Sequence, residues 1–413
     1  MYDVIVIGGG ASGMMAAGRA AQSGARVLLL EKNRTLGKKL AISGGGRCNI
    51  TNAQHDVRTF LKAYGSAEQF LYAPFAQFGV TDTFSFFEKL GLPLVVQARS
   101  RAFPHTEKAA DVCAALAAYM KKGKVEVRTG ASVQKVEVDV QGNIGGVVVG
   151  NEMLRATTYI FATGSLSHPE TGSTGDGFSW LRALGHTVVE PTPAIVPLAV
   201  EEEWSKLLSG TSLENMKIAF YVDGTRRFAK KGRLLFTHFG ISGPLVLNSA
   251  AVVRELLYEG VVTAGIDIFP DIEFPAVDKK ILAAFEQYKN KALKNVVKEF
   301  VPAGMHPGIV ELLRPLLDVE KKVHLVTKEE RRAMAHLLKA LPLTIVGLMG
   351  LERAVVADGG VPLKEVDTKT MRSRKVSNLF VTGDLLHINR PSGGYSLQLC
   401  WTTGYVAGEH CSQ

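Results

Sequence analysis

The sequence predicts an α/β protein in which a sheet domain, built from both ends of the chain, is interrupted by an inserted domain of strands and helices. A continuous apolar run at residues 2–7 leads through glycines into an Ala-rich segment, as a buried parallel strand leads into a helix. The pattern changes to short alternating runs near Pro191-Thr-Pro193, and the early pattern returns after Gly359. These three observations predict a discontinuous first domain.

Length and composition agree with more than one globular domain. The 413 residues exceed a single ordinary core, and the 46% hydrophobic and 21% charged fractions exclude disordered and fibrous chains. We find no run of about 18 uncharged apolar residues, so no membrane-spanning helix is expected. The chain opens on a strand, and its four cysteines (Cys48, Cys113, Cys400 and Cys411) form no CxxC pair. We therefore expect a cytoplasmic protein with reduced thiols and no metal site.

The sheet domain opens with a βαβ unit. Residues 2–7 form its first strand, 11–23 its helix and 26–30 its second strand, which ends in Glu31. Further elements are predicted as helical patterns at 56–90 and 107–122, strands at 125–128, 132–140, 144–149, 159–162 and 378–381, and a last helix at 396–407. We assign 1–192 and 361–413 to this domain.

The insertion, residues 193–360, contains a β-rich half followed by a helical half. Residues 195–270 predict short alternating strands, with a hairpin turn at Val222-Asp-Gly-Thr225. Residues 276–342 are helical in pattern, and Thr327-x-x-Glu330 is a capping box that opens one of these helices.

The segment Gly8-x-Gly10-x-x-Gly13 joins the first strand to the first helix and matches the dinucleotide-binding fingerprint. Gly8 permits the tight turn, Gly10 lets a diphosphate approach the backbone, and Gly13 allows close packing of the helix on the strand. The phosphates then meet the free N–H groups of the helix N-terminus. Glu31 at the end of the second strand can accept hydrogen bonds from both ribose hydroxyls and would repel a 2′-phosphate. The fingerprint by itself does not separate FAD from NAD.

Three further motifs together favour FAD. Thr382-Gly-Asp384 places an acid at the carboxyl end of a strand, where ligands of open α/β sheets bind. Gly393-Gly394-Tyr395 precedes the last helix, whose N-terminus would stabilise the negative charge of reduced flavin. Ser43–Asn52 contains three adjacent glycines, which suit a planar ring pressed against the backbone. The sequence has no second GxGxxG, so we expect NAD(P)H to act as a transient reductant without a domain of its own.

The combined motifs resemble those of the BaiN/RdsA-type FAD-dependent oxidoreductases, a family that has also carried the name aminoacetone oxidase. The resemblance covers essentially the whole chain, and it is carried by these segments: Gly8–Gly13, Glu31-Lys32, Gly37–Leu40, Ser43–Asn49, Ala162–Gly164, Leu235–Pro244, Gly359–Val361, Thr382–Asp384 and Gly393–Tyr395. Many relatives have Gly-Glu where this chain has Gly-Asp384, so an acid is kept. The resemblance implies a FAD-binding Rossmann-like domain of the two-dinucleotide-binding-domain flavoprotein type, with an inserted β-barrel-like domain plus helices.

The resemblance also implies two activities, the reduction of carbon–carbon double bonds in oxo-steroids and the reduction of a uridine of large-subunit ribosomal RNA to dihydrouridine. With the motifs, it predicts the cofactor-binding residues. They are Gly8, Gly10, Ala11, Ser12, Gly13, Glu31, Lys32, Lys39, Ser43, Gly44, Gly45, Arg47, Cys48, Asn49, Val133, Thr163, Gly164, Gly383, Asp384, Gly393, Gly394 and Tyr395.

The catalytic candidates are side chains that could donate a proton or fix an acceptor near the flavin. Cys48 could protonate the carbon beside the acceptor carbonyl, or it could be a small packing residue. Arg47 could fix a carbonyl or phosphate of the acceptor, or contact the FAD diphosphate. His238 lies in the insertion and could face the flavin or be structural, and His387 has the same two interpretations. Tyr395 is predicted to be a wall of the flavin site.

The net charge is +9, with 48 Lys and Arg against 39 Asp and Glu. A basic hairpin strand (Arg226, Arg227, Lys230, Lys231 and Arg233) is where an RNA backbone could bind, although a solvated basic face is the plainer interpretation. Three functions follow as hypotheses. The first is an RNA-modifying enzyme that reduces uridine, the second a small-molecule enone reductase or amine oxidase, and the third a non-catalytic, flavin-stabilised RNA-binding protein.

Overall fold

The computed structural model describes residues 1–412 and divides the chain into two compact units. The first comprises Met1–Pro193 and the residues from Ala354 onward, and the second comprises Ala194–Arg353. The second unit ends earlier than the predicted insertion, 193–360. The reason is that the strand Val356–Gly360 belongs to the first unit, where Gly359 packs against the backbone of Pro191.

The strands of the described residues run in the following chain order. They are β1 (Tyr2–Ile7), β2 (Val27–Glu31), β3 (Thr51–Asn52), β4 (Leu94–Gln97), β5 (Arg101–Pro104), β6 (Glu126–Thr129), β7 (Val133–Val138), β8 (Ile144–Val149), β9 (Glu152–Leu154), β10 (Ala156–Phe161), β11 (Val189–Ile195), β12 (Leu198–Val200), β13 (Ser212–Val222), β14 (Thr225–Thr237), β15 (Gly240–Ser242), β16 (Val262–Asp267), β17 (Leu341–Leu348), β18 (Val356–Gly360) and β19 (Leu379–Val381).

The α-helices of the same residues are α1 (Ala11–Gln22), α2 (Lys38–Ile42), α3 (Val57–Leu61), α4 (Glu68–Gln77), α5 (Val80–Lys89), α6 (Ala109–Lys122), α7 (Asp176–Ala183), α8 (Glu203–Lys206), α9 (Pro244–Leu247), α10 (Ala250–Glu259), α11 (Phe274–Gln287), α12 (Leu293–Val296), α13 (His306–Leu313), α14 (Lys328–Lys339) and α15 (Tyr395–His410).

A five-stranded sheet in the order β19-β10-β1-β2-β6 forms the centre of the first unit. All neighbouring strands of this sheet are parallel to each other, and β1 and β2 are buried along almost their whole length. Because both faces of such a sheet are covered, the strands other than the edge strand β6 are rich in apolar residues. The predicted βαβ opening is confirmed, and the predicted α/β class with it.

Helix α1 packs against this sheet between two other helices, and small residues permit the close approach. The backbone oxygen of Ser12 lies 2.4 Å from where a Cβ on Gly404 of α15 would be. Gly408, one turn later, faces the backbone oxygen of Ala16 in the same way, at 2.5 Å. On the other side Gly18 contacts the ring of Tyr119 from α6. The last helix is therefore fixed against the first, which brings the two ends of the chain together.

Two small antiparallel sheets complete the first unit. The order of one is β3-β5-β4 and of the other β7-β8-β9. Strand β3 begins just after the glycine loop at 43–46, and Trp401 of α15 donates to the carbonyl oxygen of Ile50 at 2.9 Å beside it. The first small sheet thus fixes the glycine loop relative to the last helix.

The second unit is built on a closed barrel of strands in the order β12-β15-β14-β13-β16-β17. The predicted hairpin turn is confirmed, because β13 ends at Val222 and β14 begins at Thr225. The prediction of strands throughout 195–270 is wrong, since α8, α9 and α10 lie within it; Val253 and Leu256 of α10 are buried in the core. The helical half contains α11 to α14, and Thr327 caps α14 with Glu330 as predicted. No helix among residues 1–412 combines the length and apolar character needed to cross a membrane.

Candidate functional site

Four strands of the central sheet end side by side at one edge. Ile7 of β1 is in register with Leu30 of β2 and Phe161 of β10, and Phe161 with Val381 of β19. The segments that follow these strands therefore converge there, which is where open parallel sheets bind ligands. Gly8, Thr163 and Gly383, all predicted cofactor residues, lie in these segments, and Glu31, another one, is the last residue of β2.

The glycine turn between β1 and α1 is closed on two sides and open on the third. A Cβ on Gly8, whose φ is +108°, would lie 2.5 Å from the Ala162 carbonyl oxygen, and one on Gly13 would lie 1.8 Å from that of Gly8. A Cβ on Gly10 would meet nothing within 4 Å. The first turn of α1 contains no acidic side chain, and no side chain caps it. No side chain therefore caps the N–H groups of this first turn, and the space beside Gly10 is open, an arrangement that fits a diphosphate.

Glu31 is buried at the end of β2 and is held by main-chain donors. The Gly9 N–H donates to Oε2 at 2.7 Å, and the backbone and side-chain N–H groups of Asn33 both donate to Oε1 at 2.7 Å. Asn33 therefore uses both lone pairs of Oε1, whereas Oε2 keeps a second lone pair with which to accept a ribose hydroxyl. The Ala131 N–H also donates to the carbonyl oxygen of Glu31, at 2.9 Å, and Val133 begins β7 two residues later. The chain therefore enters β7 from a point beside Glu31.

Asp384 follows β19 and lies between two cations. Its Oδ1 accepts from Nη2 of the buried Arg390, and its Oδ2 lies 3.4 Å from Nζ of Lys39. Lys39 also donates to Oγ of Ser167 at 2.6 Å. Burial alone would raise the pKa of Asp384, but the charges of Arg390 and Lys39 outweigh it and hold that pKa below its usual value. Asp384 is thus an anion at the edge of the sheet.

The glycine turn and the acid near the C-terminus are neighbours. A Cβ on Gly383 would lie 2.8 Å from Oγ of Ser12 in the first turn of α1. The prediction that distant stretches of the chain converge on one site depends on this proximity. The two stretches meet because α15 packs along α1.

The two remaining glycine loops meet at β3. Gly44, Gly45 and Gly46 have φ values of 58°, 68° and 84°, and Cβ atoms on Gly45 and Gly46 would face open space. A Cβ on Gly394 would lie 2.2 Å from the Thr51 carbonyl carbon, so that position excludes a side chain. With its amide oriented to satisfy its neighbours, Asn49 accepts from Gly394 N at 3.0 Å. Asn49 therefore links the two loops directly.

Tyr395 is the first residue of α15, and its ring packs on Phe60 with centroids 4.7 Å apart. The Tyr64 hydroxyl donates to the Tyr395 carbonyl oxygen at 2.9 Å, and the Asn52 side chain donates to that of Gly393 at 3.3 Å. Tyr395 is half-buried and held by these contacts, so it has the rigidity expected of a side chain that forms a wall of the flavin site. Its pKa is raised by burial, which makes the phenol a poor proton donor.

Other predicted cofactor residues have structural partners of their own. Lys32 pairs with Asp176 at 2.7 Å and contacts Thr174, and Ser43 donates to the Leu40 carbonyl oxygen at 2.7 Å. Among the described residues, the buried Oγ1 of Thr163 has no hydrogen-bond partner, and the next residue, Gly164, has a φ of +74°. Taken together, the open turn at Gly10, the two buried acids and the glycine loops fit a dinucleotide that carries a planar ring.

Cys48 is buried in the core with no exposed surface, in a left-handed backbone conformation. Burial raises the pKa of its thiol to about 12, against a smaller lowering by the hydrogen bond with Ser43. A side chain without exposed surface offers no atom to an acceptor, so this placement favours the packing role over the proton-donor role. Arg47 lies nearby and half-exposed, 4.5 Å above the ring of Phe103 and 3.1 Å from Glu107.

His238 and the basic hairpin belong to the second unit. His238 is exposed between β14 and β15, with its ring against Phe239 at 4.9 Å. Three of the five hairpin residues pair with carboxylates: Arg227 with Glu259, Lys231 with Asp271 and Arg233 with Glu214. Lys230 donates to the Asn248 carbonyl oxygen at 2.8 Å. The role of His238 and the RNA contact therefore remain predictions.

Arg390, the buried partner of Asp384, was not among the predicted site residues. The sequence did offer a signal for Arg390. It lies between Asp384 and the Pro-Ser-Gly-Gly turn, and an arginine is unusual in a segment that enters the core, so it could have been predicted to pair with the acid. The buried Gln398 of α15 was not predicted either, and its Oε1 accepts from Thr51 at 2.6 Å and Thr83 at 3.0 Å. No cluster of three potential metal ligands occurs within residues 1–412.

Comparisons with known proteins find similarity over nearly the whole chain. Residues 2–410 match the model of the family described as "HI0933-like protein Rossmann domain". A 3-dehydro-bile acid delta(4,6)-reductase from Clostridium scindens is 31% identical over all of this chain and all of its own length. A ribosomal RNA dihydrouridine synthase from Escherichia coli is 27% identical over 99% of this chain and 97% of its own length.

Solved structures of low sequence identity share the fold. The 3-ketosteroid delta1-dehydrogenase of Sterolibacterium denitrificans matches with a TM-score of 0.58 at 14% identity, over all of this chain and 99% of its own. The 3-ketosteroid-delta4-(5alpha)-dehydrogenase of Rhodococcus jostii matches with a TM-score of 0.56 at 17% identity, over all of this chain and 97% of its own. These matches support the fold and no more.

Proposed function

We propose a function that follows from the family: this chain belongs to the HI0933-like Rossmann-domain family of FAD-dependent oxidoreductases. The proposed reaction is the reduction of a carbon–carbon double bond that is conjugated to a carbonyl group. The acceptor that we propose is a uridine of large-subunit ribosomal RNA, and the product is dihydrouridine. The observation that carries the proposal is the FAD-type site at one edge of the sheet, in a chain that aligns from end to end with enzymes of this chemistry.

The chemistry is common to relatives whose acceptors differ. A delta(4,6)-reductase acts on a bile acid and a dihydrouridine synthase acts on RNA, and both names describe the saturation of a carbon–carbon double bond. A double bond conjugated to a carbonyl accepts hydride at one carbon and a proton at the other. A flat acceptor stacked on a flat ring suits both substrates.

The residues of the first unit support this role. The free N–H groups at Gly10 would bind the diphosphate, and Glu31 and Asp384 would accept hydroxyl groups on either side of it. When bound, FAD supplies hydride from its reduced isoalloxazine ring. The open glycine loop at 43–46 would leave room for that ring. Since the sequence has one GxGxxG only, we propose that NAD(P)H binds transiently as the reductant.

The basic hairpin supports RNA as the acceptor. Arg226, Arg227, Lys231 and Arg233 are exposed along β14, in a chain with a net charge of +9. RNA phosphates would compete with Glu259, Asp271 and Glu214 for three of these cations. Binding through this strand would therefore be modest and strongly dependent on salt.

A small-molecule enone, such as an oxo-steroid, is the second candidate acceptor. Two observations favour it. One is the 31% identity with a bile acid reductase over the full length, and the other is that carboxylates already neutralise much of the hairpin. A small neutral acceptor needs no basic surface.

Expression of this chain in an Escherichia coli strain that lacks its own ribosomal RNA dihydrouridine synthase tests the proposal. Mass spectrometry of nucleosides from the large-subunit RNA should show that dihydrouridine returns, and that it does not return with a variant unable to hold FAD. No dihydrouridine, together with NAD(P)H-dependent reduction of a conjugated oxo-steroid by the purified protein, would favour the second acceptor.

A further inference from the structure

Arg390 is a buried cation beside the candidate site. It lies in the segment between β19 and α15, and its side chain is 1% exposed. Its Nη2 donates to Oδ1 of Asp384, its Nη1 to the Ile388 carbonyl oxygen at 2.5 Å and its Nε to Oγ of Ser396 at 3.1 Å. Because the guanidinium is a planar fork, these three bonds fix its orientation.

Asp384 is the one member of this pair that reaches the surface. Its side chain is 14% exposed, whereas Arg390 offers a ligand almost no surface. The carboxylate points one oxygen inward to Arg390 and the other toward Lys39. Both oxygens retain lone pairs, so Asp384 can accept further hydrogen bonds from the open side of the sheet edge.

Stability alone gives little reason to bury this pair. Removing a guanidinium and a carboxylate from water costs several kcal/mol, and apolar substitutes for such pairs are often as stable. The cluster also contains two cations, Arg390 and Lys39, against the single charge of Asp384. Such an excess of positive charge suits the approach of an anionic dinucleotide.

Titratable groups from three elements face Asp384 and Arg390. Lys39 approaches Asp384 from α2, and Cys400 lies beside it in α15, its thiol pKa raised to about 12 by burial and by the charge of Asp384. Tyr64 faces Arg390, and burial raises the pKa of its phenol. Lys39 and Arg390 are thus the groups that keep the carboxylate ionised between about pH 5 and about pH 8.

We propose that Arg390 is a positioning residue for FAD: from inside the core it fixes the Asp384 carboxylate in the orientation and charge state that accept a hydroxyl group of the cofactor. This inference rests on the proposed function, since it takes FAD as the ligand. Arg390 does not touch the cofactor and acts through Asp384. Its loss would leave a buried carboxylate with Lys39 as its sole cation, so a proton would bind Asp384 at a higher pH.

The release of FAD from purified holoprotein, followed by the fluorescence of the freed cofactor, tests this proposal between about pH 5 and about pH 8. We expect Arg390→Met to release FAD at least about tenfold faster than the wild type, with the difference growing as the pH falls. Arg390→Lys should recover part of the loss. Asp384→Asn should release FAD quickly at every pH, and the double variant no faster than Asp384→Asn alone.

Arg331→Met is the matched control, because Arg331 pairs with Asp278 at 2.7 Å and 3.1 Å in the second unit. It should not change FAD release. The same release rate and pH profile for Arg390→Met and the wild type would overturn the inference and leave the proposed function intact. If Arg390→Met does not fold, Arg390→Lys takes its place in the test. A wild-type pH profile of FAD release for Arg390→Lys, together with additive effects of Arg390→Lys and Asp384→Asn on the release rate, would overturn the inference. Wild-type protein that never retains FAD would overturn the proposed function itself.

Discussion

The backbone N–H of Gly9 donates to the carboxylate of Glu31 over 2.7 Å, and this bond joins the glycine turn after β1 to the end of β2. The same carboxylate accepts two bonds from Asn33. Glu31 therefore shapes the turn before any ligand arrives, in addition to its predicted contact with a ribose. Both roles follow from one buried side chain at the end of a parallel strand.

The change Glu31→Ala should weaken both the fold and the retention of FAD. The buried N–H of Gly9 and the partly buried N–H groups of Asn33 would lose their acceptor, at a cost of about 1–3 kcal/mol in the free energy of unfolding. Denaturant unfolding and the ratio of flavin to protein absorbance measure the two effects. Asp3→Ala is the control, because Asp3 accepts from Arg26 N at 2.6 Å near the opposite end of the same strands. Asp3→Ala should lower the stability of the fold without reducing the retention of FAD. Equal loss of FAD in Glu31→Ala and Asp3→Ala would contradict the role of Glu31 in binding the cofactor.

The variants Gly10→Ala and Gly13→Ala should fail in different ways. The added Cβ at Gly10 meets no protein atom and its φ of −84° suits alanine, so the fold should survive while the diphosphate is excluded. At Gly13 the Cβ would lie 1.8 Å from the Gly8 carbonyl oxygen, so the helix must move off the strand. Circular dichroism and flavin absorbance separate the two outcomes. If the Gly10→Ala protein is yellow and so retains FAD, the diphosphate does not bind at Gly10.

The change Cys48→Ala should leave turnover within about twofold of the wild type. The thiol is buried, and its pKa of about 12 makes it a poor acid near neutrality. Cavity formation should instead lower the melting temperature. Steady-state rates with NAD(P)H and the acceptor that the expression experiment identifies, measured across pH, provide the test. A loss of a hundredfold or more in Cys48→Ala would restore the proton-donor role.

The buried carboxylate of Glu365 should make the protein acid-sensitive. His186 lies between it and Ser373, with 2.8 Å to each, and Lys375 lies 3.0 Å from Glu365. Burial alone would raise the pKa of Glu365, but hydrogen bonds from Thr187, Lys375 and His186 outweigh it and lower that pKa from 4.5 to about 2. A lowered carboxyl pKa stabilises the fold above the unfolded-state value, and this stabilisation disappears as the pH falls.

The stabilisation by Glu365 should therefore be complete above about pH 4.5 and disappear toward about pH 2. Glu365→Gln should cost on the order of 3 kcal/mol at neutral pH and flatten the loss of stability over that range. Denaturant unfolding at several pH values measures both. Glu203→Gln serves as the control, since its side chain is 81% exposed. If the free energy of unfolding falls equally with pH in Glu365→Gln and the wild type, the interactions of Glu365 do not cause the acid sensitivity.

The changes Arg226→Ala and Arg227→Ala should weaken binding to a fragment of large-subunit ribosomal RNA if RNA is the acceptor. Removing one cation that pairs with a phosphate should reduce the slope of log affinity against log salt by about one. Fluorescence anisotropy over a salt series measures this slope. Lys135→Ala, which removes an exposed cation paired with Glu137 in the first unit, is the control. Unchanged slopes in both arginine variants would remove the hairpin as an RNA-binding surface.

Much of the fold was predictable because local patterns report it. The apolar run of β1, the glycines after it and Glu31 are consecutive features that a parallel βαβ unit requires. The family motifs likewise predicted the site residues Asp384, Asn49 and Gly394 individually. The helices α9 and α10 were not predicted, because a short apolar run suits a buried strand as well as a helix.

The sequence by itself determined the class of fold, the glycine turn and the presence of acids at the ends of strands, because these depend on neighbours in the chain. Only the tertiary structure decided that Arg390 lies behind Asp384, that Cys48 has no exposed surface and that three hairpin cations pair with carboxylates. Burial and ion pairing depend on residues that are distant in the chain and meet only after packing. For this reason the chemical state of each candidate side chain could not be predicted from its own segment.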